Sequence, residues 1–94
     1  MEISPALQQE IRNLELALED IWIAPERRHT IEIEIHLLRN GYRIVPTGIR
    51  ILGIQNRETG QFVYETTYNE LRYAPLTKQQ WLKMVEERIE HTGR

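Results

Sequence analysis

The residues of this chain that could bind a metal ion form one short polar series. Glu32, Glu34 and His36 alternate with isoleucines in the segment 30–39. On a β-strand, residues two apart point to the same face, so two carboxylates and an imidazole would lie side by side. Such donors can bind a divalent cation, but the same alternation is typical of the solvated face of an amphipathic strand. We favour the solvated face and expect no metal site and no cofactor.

The sequence contains few residues that could act as nucleophiles in catalysis. The chain has no cysteine, which excludes thiol nucleophiles, disulfides and thiolate metal sites. Ser4 is its only serine, and its position before Pro5 is that of a helix N-cap followed by proline at the first helical position. The glycines are spaced as turn residues and form no phosphate-binding loop. We therefore expect a protein that is not an enzyme.

Charge is unevenly distributed along the chain. Residues 1–25 contain five acidic residues and one arginine, whereas residues 26–57 contain six arginines and three glutamates. The acidic first segment could pair with the basic segment inside the fold, or the basic segment could bind an anionic partner. Arginines with neighbouring aromatic rings are typical of single-stranded nucleic-acid sites. The residues that would form such a site are Arg39, Arg43, Arg50 and Tyr42.

The elements that would position these side chains begin with a predicted β-hairpin. Apolar and polar residues alternate from Thr30 to Arg39, a pattern that favours a strand. Asn40-Gly41 follows, a pair that favours a two-residue type I′ turn. The next apolar run would form the second strand. Its register predicts a bulge, kink or strand break at Pro46-Thr47-Gly48, because otherwise Arg50 would face the core and Ile49 would not.

The rest of the sheet is predicted from turn residues and alternation. A further strand segment covers residues 49–55, a turn covers residues 56–60 with Gly60 in the left-handed position, and the third strand covers residues 62–68. Sequential strands joined by tight turns form an antiparallel meander.

A helix is expected at each end of the chain. Leu7, Ile11, Leu14, Leu18 and Ile21 recur at spacings of three and four, which predicts an amphipathic helix that Pro25 should stop. Near the C-terminus, Thr77 and Gln80 have the spacing of a capping box. The sequence thus predicts one α+β domain over residues 1–94, a three-stranded antiparallel meander flanked by an N-terminal and a C-terminal helix (α-β-β-β-α).

The distribution of apolar residues favours the binding of another protein as the function of this chain. Leu38 and Leu52 are apolar at positions that the alternation leaves outside the predicted core, and Leu16 and Ile23 lie off the main stripe of the first helix. Apolar residues on two surfaces must be covered by the chain itself or by a partner. We therefore predict an adaptor, inhibitor or regulatory subunit that forms a homodimer, without membrane attachment and in the cytoplasm. RNA or single-stranded DNA binding is the alternative.

Overall fold

The fold, taken from a computed structural model, is of the α+β class, as the sequence predicts, with a three-stranded antiparallel meander between helical segments. The structure describes residues 4–92, and the side chains of residues 4–87. The elements follow in the order α1 (Pro5–Leu18), α2 (Pro25–Arg39), β1 (Tyr42–Gly48), β2 (Ile51–Asn56), β3 (Phe62–Thr67), α3 (Tyr68–Tyr73) and α4 (Lys78–Thr92).

The prediction of a strand over residues 30–39 is wrong, because this segment belongs to α2. The reason lies in how α2 is packed. Ile31, Ile35 and Leu38 pack against α1, whereas Ile33 and Leu37 pack against the sheet and α4. Each set follows the spacing of three or four residues that places side chains on one side of a helix. The two sets are offset by two residues, about 200° around the axis. Their superposition produces the alternation that resembles a strand.

The signals at both ends of this segment also belong to a helix. Pro25 occupies the first turn of α2, where its missing N–H costs no hydrogen bond, so it begins this helix. Asn40 is the C-cap, and Gly41 follows with φ 95°, the left-handed conformation that commonly ends a helix. The predicted type I′ turn at these two residues is therefore replaced by a helix end.

The irregularity predicted at Pro46-Thr47-Gly48 is confirmed, but the core position expected for Ile49 is wrong, because Ile49 is 91% exposed. The pairing of β1 with β2 shifts register between Pro46 and Gly48. The two strands are joined by a tight turn at Ile49 and Arg50, and Arg50 has φ 61° although it is not a glycine. In the second turn, Gly60 has the left-handed conformation that the sequence predicts, with φ 74°.

The side chains form two apolar clusters on opposite sides of α2. The larger cluster lies between the sheet and the helices α2, α3 and α4, and it includes Ile33, Leu37, Tyr42, Leu52, Ile54, Val63, Leu71, Trp81 and Val85. The smaller cluster joins α1 to α2 through Leu7, Ile11, Ile31, Ile35 and Leu38. Three layers result, namely the sheet, the layer that contains α2, and α1.

The two caps that the sequence predicts are present. The Ser4 hydroxyl accepts a hydrogen bond from the Leu7 N–H at 3.2 Å. At α4, the Thr77 hydroxyl accepts from the Gln80 N–H at 3.2 Å, and the Gln80 side chain accepts from the Thr77 N–H at 2.7 Å. This reciprocal pair is a complete capping box, which fixes the start of α4.

Candidate interaction surfaces

Two of the four predicted partner-binding residues are core residues. Leu38 is 1% exposed between α1 and α2, and Leu52 is 4% exposed between the sheet and the helices. The expectation that they lie on an open surface is therefore corrected. For Leu38 the cause is the helical conformation of its segment. For Leu52 the cause is that its face was assigned from pairing with residues 30–39, whereas β2 pairs with β1 and β3 and turns Leu52 and Ile54 toward the helices.

The other two predicted residues lie at the end of the helical hairpin formed by α1 and α2. Leu16 is 45% exposed near the end of α1. Ile23 precedes α2 and is partly buried against the α1–α2 cluster. Ile21 was expected to continue the buried stripe of α1, but α1 ends at Leu18, and Ile21 is 82% exposed.

The connection between α1 and α2 exposes a pair of large apolar side chains. Ile21 is followed by Trp22, which is 86% exposed. Exposure of this extent is unusual for tryptophan, which is on average a highly buried residue. We name the set Leu16, Ile21 and Trp22 the α1–α2 tip. Sequence reasoning missed Trp22 as a surface residue, although the early end of α1 could have been suspected from the acidic pair Glu19-Asp20.

Hydrogen bonds hold the backbone of this connection. The Asp20 Oδ1 atom accepts from the Trp22 N–H at 2.9 Å, an Asx turn that positions the residues after it. The Arg28 guanidinium donates to the carbonyl oxygens of Leu18 at 3.2 Å and Asp20 at 3.4 Å, which provides donors for the C-terminal end of α1. Ile21 and Trp22 are thus presented on a preorganised loop, so a partner would pay little entropy to order it.

The arginines predicted to bind nucleic acid are largely engaged within the fold. Arg43 donates to both carboxylate oxygens of Glu10 on α1, at 2.9 and 3.0 Å. Arg39 donates to Glu15, also on α1, at 3.2 Å. The acidic first helix therefore pairs with the basic segment inside the molecule, one of the two arrangements that the charge distribution allows.

The remaining two residues of the predicted nucleic-acid site, Tyr42 and Arg50, differ in their exposure to solvent. Tyr42 is 8% exposed, and burial raises the pKa of its hydroxyl. Arg50 is exposed in the turn between β1 and β2, beside Ile49, which is 91% exposed. Tyr42 offers no stacking surface, and Arg50 is the one exposed member of the predicted set that is free of the α1 carboxylates.

The polar trio expected on a strand face is separated by the helix. Glu32 and His36 are one turn apart on α2, but Glu34 lies on another side of it, because two residues correspond to about 200°. Among the described residues, no group of three histidine, aspartate or glutamate side chains is placed to hold a metal ion.

Glu34 and His36 nonetheless have shifted pKa values. Burial, reinforced by the nearby Glu10 carboxylate, raises the pKa of Glu34, which lines a cavity of about 150 Å³ with Arg27 and Leu52. Burial lowers the pKa of His36, as do the charges of Lys78 and Arg39. The two groups line different cavities, so they do not form an acid–base pair.

The outer face of the sheet is a second partly apolar surface. The Phe62 ring packs directly on Gly53, where an added Cβ would lie 2.6 Å from Cδ1 of the ring. This packing covers the gap left by the glycine but leaves Phe62 50% exposed. Thr47 and Glu65 lie on the same face and are exposed. This mixed composition is ordinary for an antiparallel sheet with one face toward solvent.

Comparison with protein-family models, with curated proteins and with solved structures returns no match. No helix within residues 4–92 combines the length and the apolar character needed to cross a bilayer.

Proposed function

We propose that this protein is a small non-catalytic interaction module, in the cytoplasm, that binds another protein through the α1–α2 tip. The observation that carries this proposal is the exposure of Ile21 and Trp22 on a loop held by Asp20 and Arg28. Tryptophan is enriched among the few residues that dominate the free energy of protein association. A rigid loop presents it without the ordering cost that weakens binding by flexible segments.

The sequence-derived assignment of partner-binding residues is revised accordingly. Leu16 stays within the proposed surface, and Ile23 packs against the α1–α2 cluster beside it. Ile21 and Trp22 replace the two core leucines. The exposed residues directly before Ile21 are the acids Glu19 and Asp20, which suit a polar rim beside an apolar centre.

The matched test uses two exposed residues that differ in position. Wild-type protein, Trp22→Ala and Ile49→Ala are immobilised, and proteins captured from an extract of the native host are identified. The partner found is then purified and titrated against each form. We expect Trp22→Ala to weaken binding about 30-fold or more, the size of a hot spot, and Ile49→Ala to leave it unchanged. Equal affinity of wild type and Trp22→Ala would contradict the proposal.

Tryptophan fluorescence provides a direct readout of the same surface. The chain contains two tryptophans, and Trp81 is 1% exposed in the core, where a partner cannot reach it. Quenching by acrylamide therefore reports mainly on Trp22. We expect the bound partner to protect the chain from quenching, and the protection to be absent in Trp22→Phe, whose remaining signal comes from Trp81.

A further inference from the structure

A groove runs along α2 close to the α1–α2 tip. One part is a cavity of about 370 Å³ between α2 and the segment that joins α3 to α4. A second cavity of about 250 Å³ shares the lining residues Glu32 and Lys78 with the first, so the two are neighbours. The accessible apolar lining of the larger cavity comes from Pro75 and Leu76, and the fully buried Ile33 lies beneath it. Its volume is in the range of pockets that accept drug-sized molecules, about 300–1,000 Å³, and it can hold an aromatic side chain.

The groove carries one carboxylate and one ammonium group that could bind a hydrogen-bond donor and an acidic group of a partner. Glu32 and Lys78 are exposed, and neither forms an ion pair with another described side chain. His29 also lines the groove, but its Nε2 atom is fully enclosed and has no hydrogen-bond partner among the described residues. Recognition of an incoming group therefore falls to the carboxylate of Glu32 and the ammonium of Lys78.

The α1–α2 tip has the complementary properties. The Trp22 indole is apolar with a single N–H donor, which an open carboxylate such as Glu32 can accept. The exposed acids Glu19 and Asp20 flank it on the N-terminal side, and they are opposite in charge to Lys78. Glu19 is held only at 4.0 Å by Arg12, a weak exposed pair that leaves it open to a second cation.

The position of these two features on one chain points to self-association. Trp22 precedes α2 by three residues, and the groove begins at His29, about 6 Å along the helix from Pro25. In a two-fold symmetric dimer, the same surface of each copy contacts the other, so a protrusion and a recess that lie side by side can be filled twice at one interface.

Resting on the proposed function, we propose that the partner of the α1–α2 tip is a second copy of this chain. Trp22 of each copy inserts into the groove of the other, against Pro75 and Leu76. Its indole N–H donates to Glu32, and the acids beside it face Lys78. The dimer buries the Trp22 side chain of each copy and brings Glu19 and Asp20 of each copy to Lys78 of the other.

Sedimentation velocity over a range of concentrations tests the dimer. Wild-type protein should show a concentration-dependent increase from the monomer mass to twice that mass. Trp22→Ala should weaken the dimer about 30-fold or more, because the contact occurs twice. Ile49→Ala, which removes a more exposed apolar side chain elsewhere, should dimerise as the wild type does.

A charge exchange separates the proposed contact from a general effect on folding. Lys78→Glu places a carboxylate in the first turn of α4, where it interacts favourably with the helix dipole, so the fold should be kept. We expect this variant to dimerise several-fold more weakly, since its carboxylate now faces Glu19 and Asp20 of the other copy. The double variant Glu19→Lys/Lys78→Glu restores opposite charges at both contacts and should recover most of the affinity.

Two results would overturn the dimer. One is a wild-type protein that stays monomeric at every concentration; the other is dimerisation that Trp22→Ala does not alter. If a different protein is captured through Trp22 while the chain itself stays monomeric, the proposed function survives and the second copy is rejected. If Trp22 affects neither, both proposals fail.

Discussion

At the scale of single residues, the ionisable side chain with the most informative surroundings is Glu34. Its carboxyl is half-buried, and the carboxylate of Glu10 lies near enough to act on it. Arg27 and Arg43 oppose the shift, yet the net effect is a raised pKa. A group of this kind opposes folding when it is ionised.

The substitution Glu34→Gln should therefore stabilise the protein at neutral pH. Because the pKa of Glu34 is raised in the folded state, the folded chain binds more protons than the unfolded chain between its ordinary value of 4.5 and the raised value. Its contribution to the free energy of unfolding is largest at acid pH and falls as pH rises through this window. Urea denaturation should show a flatter pH profile for Glu34→Gln within this window and a higher free energy of unfolding than the wild type above it.

The control for this prediction is Glu58→Gln in the turn after β2. Glu58 is exposed and lies outside the proposed interface, so its replacement should change the free energy of unfolding at neutral pH very little. A Glu34→Gln protein that is less stable than the wild type at neutral pH would show that the two arginines, rather than burial, dominate at this position.

At the scale of elements, the attachment of α1 to the rest of the fold combines an apolar and a polar contact. The apolar contact is the cluster between α1 and α2. The polar contact is the bidentate ion pair between Arg43 on β1 and Glu10 on α1. The pair involves sequence positions 33 apart, so it constrains the angle at which α1 lies.

A double-mutant cycle should measure this polar contact. With Glu10→Gln and Arg43→Gln, we expect a coupling free energy of about 1 kcal/mol, the upper end for partly exposed pairs, because the geometry is bidentate. The pair Lys83 and Glu87 is separated by 4.0 Å on the exposed side of α4 and should give about 0.3 kcal/mol. Equal coupling in the two cycles, measured by chemical denaturation, would contradict a specific role for the Arg43 pair.

At the scale of the whole molecule, internal pairing changes what the basic segment can bind. Two of the arginines that the sequence assigns to a nucleic-acid face are held by α1, and the tyrosine beside them is buried. The chain as a whole has a net charge of −2. A groove that tracks a phosphate backbone needs several free cations in a row.

Titration with single-stranded RNA should therefore show little binding at physiological salt. Any association seen at low salt should decline with a shallow slope, since few phosphates would be neutralised. Glu10→Gln frees Arg43 and serves as the comparison, because it should increase the low-salt binding. Tight wild-type binding that Arg43→Ala or Arg50→Ala abolishes would instead support the alternative function.

The sequence by itself determined the class of the fold, the register irregularity at Pro46-Thr47-Gly48, and both helix caps. The irregularity and the caps could be predicted because turns and caps depend on residues that are neighbours in the chain. It also predicted the buried stripe of α1 as far as Leu18. These features can be predicted without knowing which elements pack against each other. The left-handed conformation at Gly60 belongs to the same group, whereas the positive φ of Gly41 ends a helix instead of forming the predicted type I′ turn.

Only the tertiary structure decided the state of residues 30–39 and the location of the exposed apolar surface. A helix buried on two opposite sides produces the alternation of a strand, so the local pattern of Ile31, Ile33 and Ile35 cannot distinguish the two. Burial of Leu38 and Leu52 follows from that packing. Trp22 is exposed because α1 ends at Leu18 and α2 begins at Pro25, which leaves it in the connection. Whether a side chain in such a connection is buried depends on how the two helices pack against each other.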